Sequence, residues 1–164
     1  MRPSRTAMPE EVTGVTHPAG IRILQRMFRS AAGVDVDKQD IRRYREFVDA
    51  MIDDIAITGR NSASWNGRDV IAPADLPITK GLHERMREFD ELDVAAEVRA
   101  LLRNDLRRPP GDVTFSEETE DLLPEVFGGL SVVLARSFKV IDPDLTNPRT
   151  EHWERAFTLF RLMM

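Results

Sequence analysis

Two stretches of this chain carry apolar residues at helical spacing for longer than a globular helix usually runs, and that pair constrains the fold most. The first spans residues 37–65, roughly seven turns, with Ile41, Tyr44, Val48, Met51, Ile52, Ile55 and Trp65 as its apolar members. Asp37 is its expected N-cap, and Asp40 adds negative charge in the first turn, where the helix dipole favours it. The second starts from Ser116 as cap, with Glu117 and Glu118 in its first turn. It runs on through Leu122, Leu123, Val126, Phe127, Leu130, Val133, Leu134 and Phe138 to Ile141. Pro124 lies inside this pattern and is expected either to kink the helix or to mark its true start. Rods of this length cannot cover their own apolar sides, so Tyr44, Met51, Ile55, Trp65, Phe127 and Phe138 are expected in a core that shorter elements close over.

Those shorter elements flank each rod in the same order. A helix from Ile21 to Ala32, ended by Gly33, precedes the first rod, and a helix over 93–107 precedes the second. Extended pieces follow each, at "VDVDKQD" and at Val113–Phe115. After the first rod the chain pauses at "NGRDVIAPADLPITKGL", where Asp69-Val70-Ile71 is strand-like. A helix then runs through Leu82 and Met86 towards Phe89, started either at Pro73 or at an Asp75 cap. After the second rod, "DPDLTNPR" breaks the chain before "TEHWERAFTLFRLMM" closes it as a short helix, with Trp153 and Phe157 expected in the core in preference to a partner-facing stripe. Short helix, loop, long helix, loop, short helix thus occurs twice, a repeat of pattern more than of residues. The expected organisation is a flexible tail over 1–19, a first unit over 20–90 and a second over 91–164, intertwined in one all-α body.

This pattern resembles the histone fold, in which two copies interlock in a handshake. Gly67-Arg68, then Val70-Ile71, then Asp75-Leu76 is similar to the junction after the central helix of archaeal histones, and Arg68 and Asp75 keep the seven-residue spacing of the loop-bracing pair found there. From about Ile21 to Met164 the chain resembles a bacterial family of single-chain double histone-fold proteins, through "RSAAGVDVDKQD", "NGRDVIAPADLPITKGL", "LLPE" and "NPRTEHWERA". The resemblance implies two tandem histone folds forming an intramolecular pseudodimer. Val70 and Ile71 would bridge to "DVTF" of the other half, with Arg68 and Asp75 holding the loop shut. "PDLTNPRT" shows no equivalent pair, so a brace there is expected to be different or absent.

Charge narrows the functional options. The net charge is −5, which argues against a protein that coats nucleic acid all over. Residues 1–68 hold 11 Lys+Arg against 9 Asp+Glu, a net of +2, and residues 69–164 hold 12 against 19, a net of −7. The chain has no cysteine, and His17, His83 and His152 are scattered with no HExxH spacing, so no metal or cofactor site is expected. GxSxG, Walker A and GxGxxG patterns do not occur. "DVDKQDIRRYRE" places Asp35, Asp37 and Glu46 like a calcium loop, but Asp40 stands where that loop needs its turn glycine. A non-enzymatic protein without a small-molecule substrate is the expectation. Without an apolar leader or a membrane-length apolar run, it is expected in the cytoplasm, or on the nucleoid if it binds DNA.

Two arginine stripes remain. Arg22, Arg26 and Arg29 line one side of the first short helix; Arg99, Arg103 and Arg107 line one side of its counterpart. In DNA-binding histones, which this pattern resembles, the paired first helices and loops face the duplex. Six arginines there would neutralise phosphates without reading sequence, yet arginine on a solvated helix face is also the ordinary state of a surface helix. The loops oppose DNA, since Asp35, Asp37, Asp69, Asp142 and Asp144 sit where a binder prefers cations. The leading expectation is a histone-like protein that contacts DNA weakly through its paired first helices; the alternative is a protein-interaction role, in hetero-association or self-association, without DNA binding.

Overall fold

The computed structural model describes residues 17–106 and 111–163. Six α-helices occur among the described residues: α1 (Pro18–Ala32), α2 (Lys38–Trp65), α3 (Lys80–Glu91), α4 (Ala95–Asp105), α5 (Glu117–Ile141) and α6 (Thr150–Met163). Two short strands accompany them, β1 (Val70–Ile71) and β2 (Thr114–Phe115), with a 3-10 turn over Pro73–Asp75.

The ends of these helices follow from local chemistry. Gly33 closes α1 at φ 64°, a left-handed conformation in which its N–H reaches back to the carbonyls of Phe28 and Arg29. Asp37 and Asp40 form a reciprocal capping box at the start of α2. Ser116 accepts from the Thr119 N–H at the start of α5. The helix then passes through Pro124 without a break, so it starts at Glu117 and not at the proline. Neither Pro73 nor Asp75 starts α3: they form the separate 3-10 turn, and Thr79 caps α3 by accepting from the Leu82 N–H. Residues 1–16 of the expected tail lie outside the described residues, while Pro18 and Ala19 already belong to α1.

The packing is crossed between the halves. Helices α1 and α3 lie against α5, and α4 lies against both α1 and α5. In turn α6 covers α2, through Phe47 edge-on to Phe160 at 4.8 Å and parallel to Phe157 at 6.0 Å. The two rods touch where the Tyr44 hydroxyl and Ser131 Oγ share a buried 2.7 Å hydrogen bond. Phe28, Phe138 and Trp153 fill the space beside it, with Trp153 edge-on to Phe138 at 4.9 Å. The expected core residues Tyr44, Met51, Ile55, Phe127, Phe138 and Trp153 are all buried. Trp65 is a correction: it is 91% exposed at the end of α2.

Strands β1 and β2 pair in parallel, Val70 with Thr114 and Ile71 with Phe115, the bridge that the resemblance implies. Parallel pairing needs a long crossover connection, and here a whole run of helices supplies it, so this small bridge ties the first half to the second. The Ile71 carbonyl takes both the Ser116 N–H at 3.0 Å and the Thr119 hydroxyl at 2.8 Å, which seals the seam.

Candidate functional site

Three surfaces follow from this packing: the loop seams, the arginine-bearing helices and an apolar face beside α6. At the first seam, Arg68 and Asp75 meet in a two-point contact of 2.6 and 2.8 Å. Ser62 Oγ and the Ala72 N–H also donate to the Asp75 carboxylate, at 2.9 and 2.8 Å. Four donors on one buried carboxylate satisfy it fully. The Arg68 hydrogen bonds, assisted by Ala72 and Ser62, hold its pKa well below the usual carboxylate range.

The opposite seam is built differently. The Asp35 N–H donates to the Thr146 carbonyl at 2.7 Å, and no strand pair forms there among the described residues. Buried Asp40 takes the Trp153 indole N–H at 2.9 Å and an Arg43 N–H at 3.2 Å, and Arg43 reaches on to Thr150 Oγ1 at 2.5 Å. Burial pushes the Asp40 pKa up, against the lowering effect of these donors. The cleft outside this seam, about 670 Å³, is lined by Asp37, Asp142, Asp144 and Glu151 against Arg43 and Arg149. Its excess of carboxylates repels phosphate. Among the described residues no group of acidic or histidine side chains could hold a metal ion.

The arginine stripes are only partly available. Arg26 lies across from α4, bonded to Glu97 at 2.8 Å and 3.9 Å from Asp93, so α1 and α4 run side by side. Arg29 turns to Asp35 at 3.0 Å. Arg99 leaves the stripe altogether: it lies over the Phe89 ring and binds Glu125 and Asp90, which favours its charged form. Arg22 and Arg103 are exposed and carry no ion-pair partner among the described residues. Arg107 lies outside the described residues. Sequence spacing put the arginines on the right helices, but their partners come from 71 and 26 positions away, which no local pattern reveals.

The apolar face was not visible in the sequence as a surface. A groove of about 630 Å³ runs between α3, α5 and α6, floored by Leu82, Leu130 and Val133 and walled by Val140, Leu159 and Met163. Val140 is 80% exposed, Met163 67% and Leu159 41%. At its rim Arg85 and Arg136 both bind Glu88. Apolar side chains grouped in this way mark association surfaces, whereas single exposed ones do not. Among the described residues no helix is long and apolar enough to cross a membrane.

Comparison with known proteins agrees with this architecture. A crystal structure of a Thermus thermophilus protein superposes with a TM-score of 0.77 at 42% identity, covering 88% of this chain and 97% of that one. A crystal structure of an Aquifex aeolicus protein superposes with a TM-score of 0.75 at 27% identity, covering 88% and 95%. An uncharacterised protein of Aquifex aeolicus (strain VF5) is 29% identical over 129 residues, which is 79% of this chain and 75% of the relative. The profile of the family described as "Domain of unknown function (DUF1931)" matches residues 24–161, most of the molecule, and the chain belongs to that family.

Proposed function

We propose that this chain is a non-enzymatic pseudodimer of two histone folds, closed in a handshake within one polypeptide, that works as a protein-association module. The fold reading is supported by the crossed packing and by the parallel bridge that joins Val70–Ile71 to Thr114–Phe115 beside the Arg68–Asp75 brace. The functional reading is carried by one contrast. Most of the described stripe arginines are bound to carboxylates of the same chain, while Val140, Leu159 and Met163 stand open around an apolar groove. Cations already paired release few counterions from DNA, whereas open aliphatic surface gains by being covered.

An apolar dye such as anilinonaphthalene sulfonate, added to dilute folded protein, tests this. Dye fluorescence is expected to rise and to be cut by Val140→Asp and by Met163→Asp. No dye binding to the folded wild type would overturn the reading.

A second reading, weak DNA contact through α1 and α4, is favoured by exposed Arg22 and Arg103, which have no ion-pair partner among the described residues. Its test is a gel shift with random duplex DNA across a salt series. Retardation at low salt that Arg22→Glu and Arg103→Glu abolish would support it; an unretarded duplex at the lowest salt would end it.

A further inference from the structure

We infer that a second groove, between α2 and α6, receives an arginine-bearing segment of another polypeptide. This groove of about 460 Å³ lies on the side of α2 where Glu46, Ala50, Asp53 and Asp54 recur at i, i+4, i+7 and i+8, the spacing of one helix face. Its floor is apolar: Phe47, Met51 and Phe160 are buried, and Phe157 stands half-buried, parallel to Phe47 at 6.0 Å. Ala50, exposed and small, leaves room between the carboxylates.

Charge decides the chemistry of the occupant. Glu46, Asp53 and Asp54 have no hydrogen-bond or ion-pair partner among the described residues, whereas Asp49 on the same helix is held by Arg45. Asp54 is half-buried, and a carboxylate drawn partly out of water without a donor is unfavourable until a cation reaches it. Arg161 is the single cation lining the groove against these three carboxylates, so its field stays negative. An apolar occupant would cover the carboxylates unpaired, and an acidic one would be repelled.

The floor narrows the cation to arginine. Its aliphatic stem packs on apolar surface while the head stays with the charges at the rim. The planar guanidinium also takes a carboxylate at two points and stacks on aromatic rings, which the ammonium of lysine does not. Val140 and Met163, which report on the α3–α5–α6 groove, do not line this one, so the two readings fail separately.

Fluorescence anisotropy of a labelled peptide of arginine, leucine and glycine, titrated with the full chain at low salt, tests this. Binding is expected, and none is expected when glutamate replaces the arginines. Asp53→Asn with Asp54→Asn is expected to weaken binding about tenfold. Glu120→Gln with Asp121→Asn, the same charge change on α5 outside the groove, should leave it nearly unchanged. Ala50→Lys, at an exposed helix position, should abolish binding without lowering Tm. No binding to wild type, or binding that survives Ala50→Lys or follows the two charge changes equally, would overturn the inference. Much tighter binding in Arg2→Gln with Arg5→Gln would put this chain's own residues 1–16 in the groove. A dimer in sedimentation that Ala50→Lys breaks would put a second copy there. Either result would overturn the separate partner.

Discussion

The guanidinium of Arg68 grips the carboxylate of Asp75 at two points, 2.6 and 2.8 Å, with the aspartate side chain 2% exposed and the arginine 40%. Two parallel bonds fix direction as well as distance, which is why this pair can hold a loop where an ordinary surface ion pair contributes little. Arg68 lowers the Asp75 pKa from its usual value. The unfolded chain therefore takes up a proton, near the ordinary carboxylate value of about 3.9, before the native one does. Stability from this group is fully present above that value and is lost as pH falls towards the depressed native one.

Asp75→Asn is therefore expected to lower Tm several times more than Lys80→Ala at neutral pH. The stability gap between wild type and Asp75→Asn should narrow as the solution is acidified below about pH 4. Urea unfolding at a series of pH values measures both. A gap that does not change with pH would show that the pair is only a solvated contact.

Asp40 carries the opposite sign. Burial raises its pKa despite the Trp153 and Arg43 donors. Between the ordinary value of about 3.9 and the raised native one, the folded chain holds a proton that the unfolded chain has released. Stability linked to Asp40 thus falls as pH rises through that window. The advantage of wild type over Asp40→Asn should shrink with rising pH there, while that over Asp75→Asn grows or holds. In a Trp65→Phe background, Trp153 fluorescence should titrate with a midpoint above the ordinary aspartate value. A midpoint at or below it would contradict this account of the seam.

Gly128 shows how tightly α3 is set against α5. A methyl group placed there would come within 2.3 Å of the Phe89 ring, which is fully buried and has nowhere to go. In an open helix, alanine in place of glycine gains about 1 kcal/mol. Here overpacking, typically about 1–3 kcal/mol and occasionally more, should reverse the sign. Gly128→Ala is expected to destabilise to urea. Gly59→Ala, whose methyl would meet only the Cγ2 methyl of Ile71, at 2.9 Å, is expected to cost less. Equal effects at the two sites would mean that α3 shifts freely along α5.

What the sequence made legible was whatever chemistry keeps local. Asp37, Ser116 and Gly33 act within a few residues of themselves, and all three end their helices as their side chains, or the lack of one, dictate. Arg68 and Asp75 are seven apart, and their resemblance to the loop-bracing pair of archaeal histones, in spacing and flanking residues together, exposed the brace. The partners of Arg26 and Arg99 were not legible, because Glu97 reaches Arg26 only once the halves interlock and Glu125 reaches Arg99 only once α4 folds back onto α5. The same holds for the face around Leu159 and Met163. Helix α6 is apolar at helical spacing on more than one side, and only the packing of Trp153 and Phe160 onto the core decides which side stays open.

The chain's two tryptophans state that lesson most sharply. Trp65 continues an apolar run in α2, yet it follows buried Ala63 by two residues, which turns it about 200° away around the helix. Trp153 instead lies 1% exposed among Phe28, Phe138 and Phe157, with its N–H on Asp40. Trp65→Ala removes no buried contact and is expected to change stability by no more than about 0.5 kcal/mol. Trp153→Ala empties an aromatic cluster and removes the indole N–H from buried Asp40, so it is expected to cost about 3–5 kcal/mol. Iodide should quench the Trp65 emission and leave that of Trp153 nearly untouched. If Trp65→Ala instead lowered the urea midpoint strongly, α2 would have to end against a surface that these contacts do not contain.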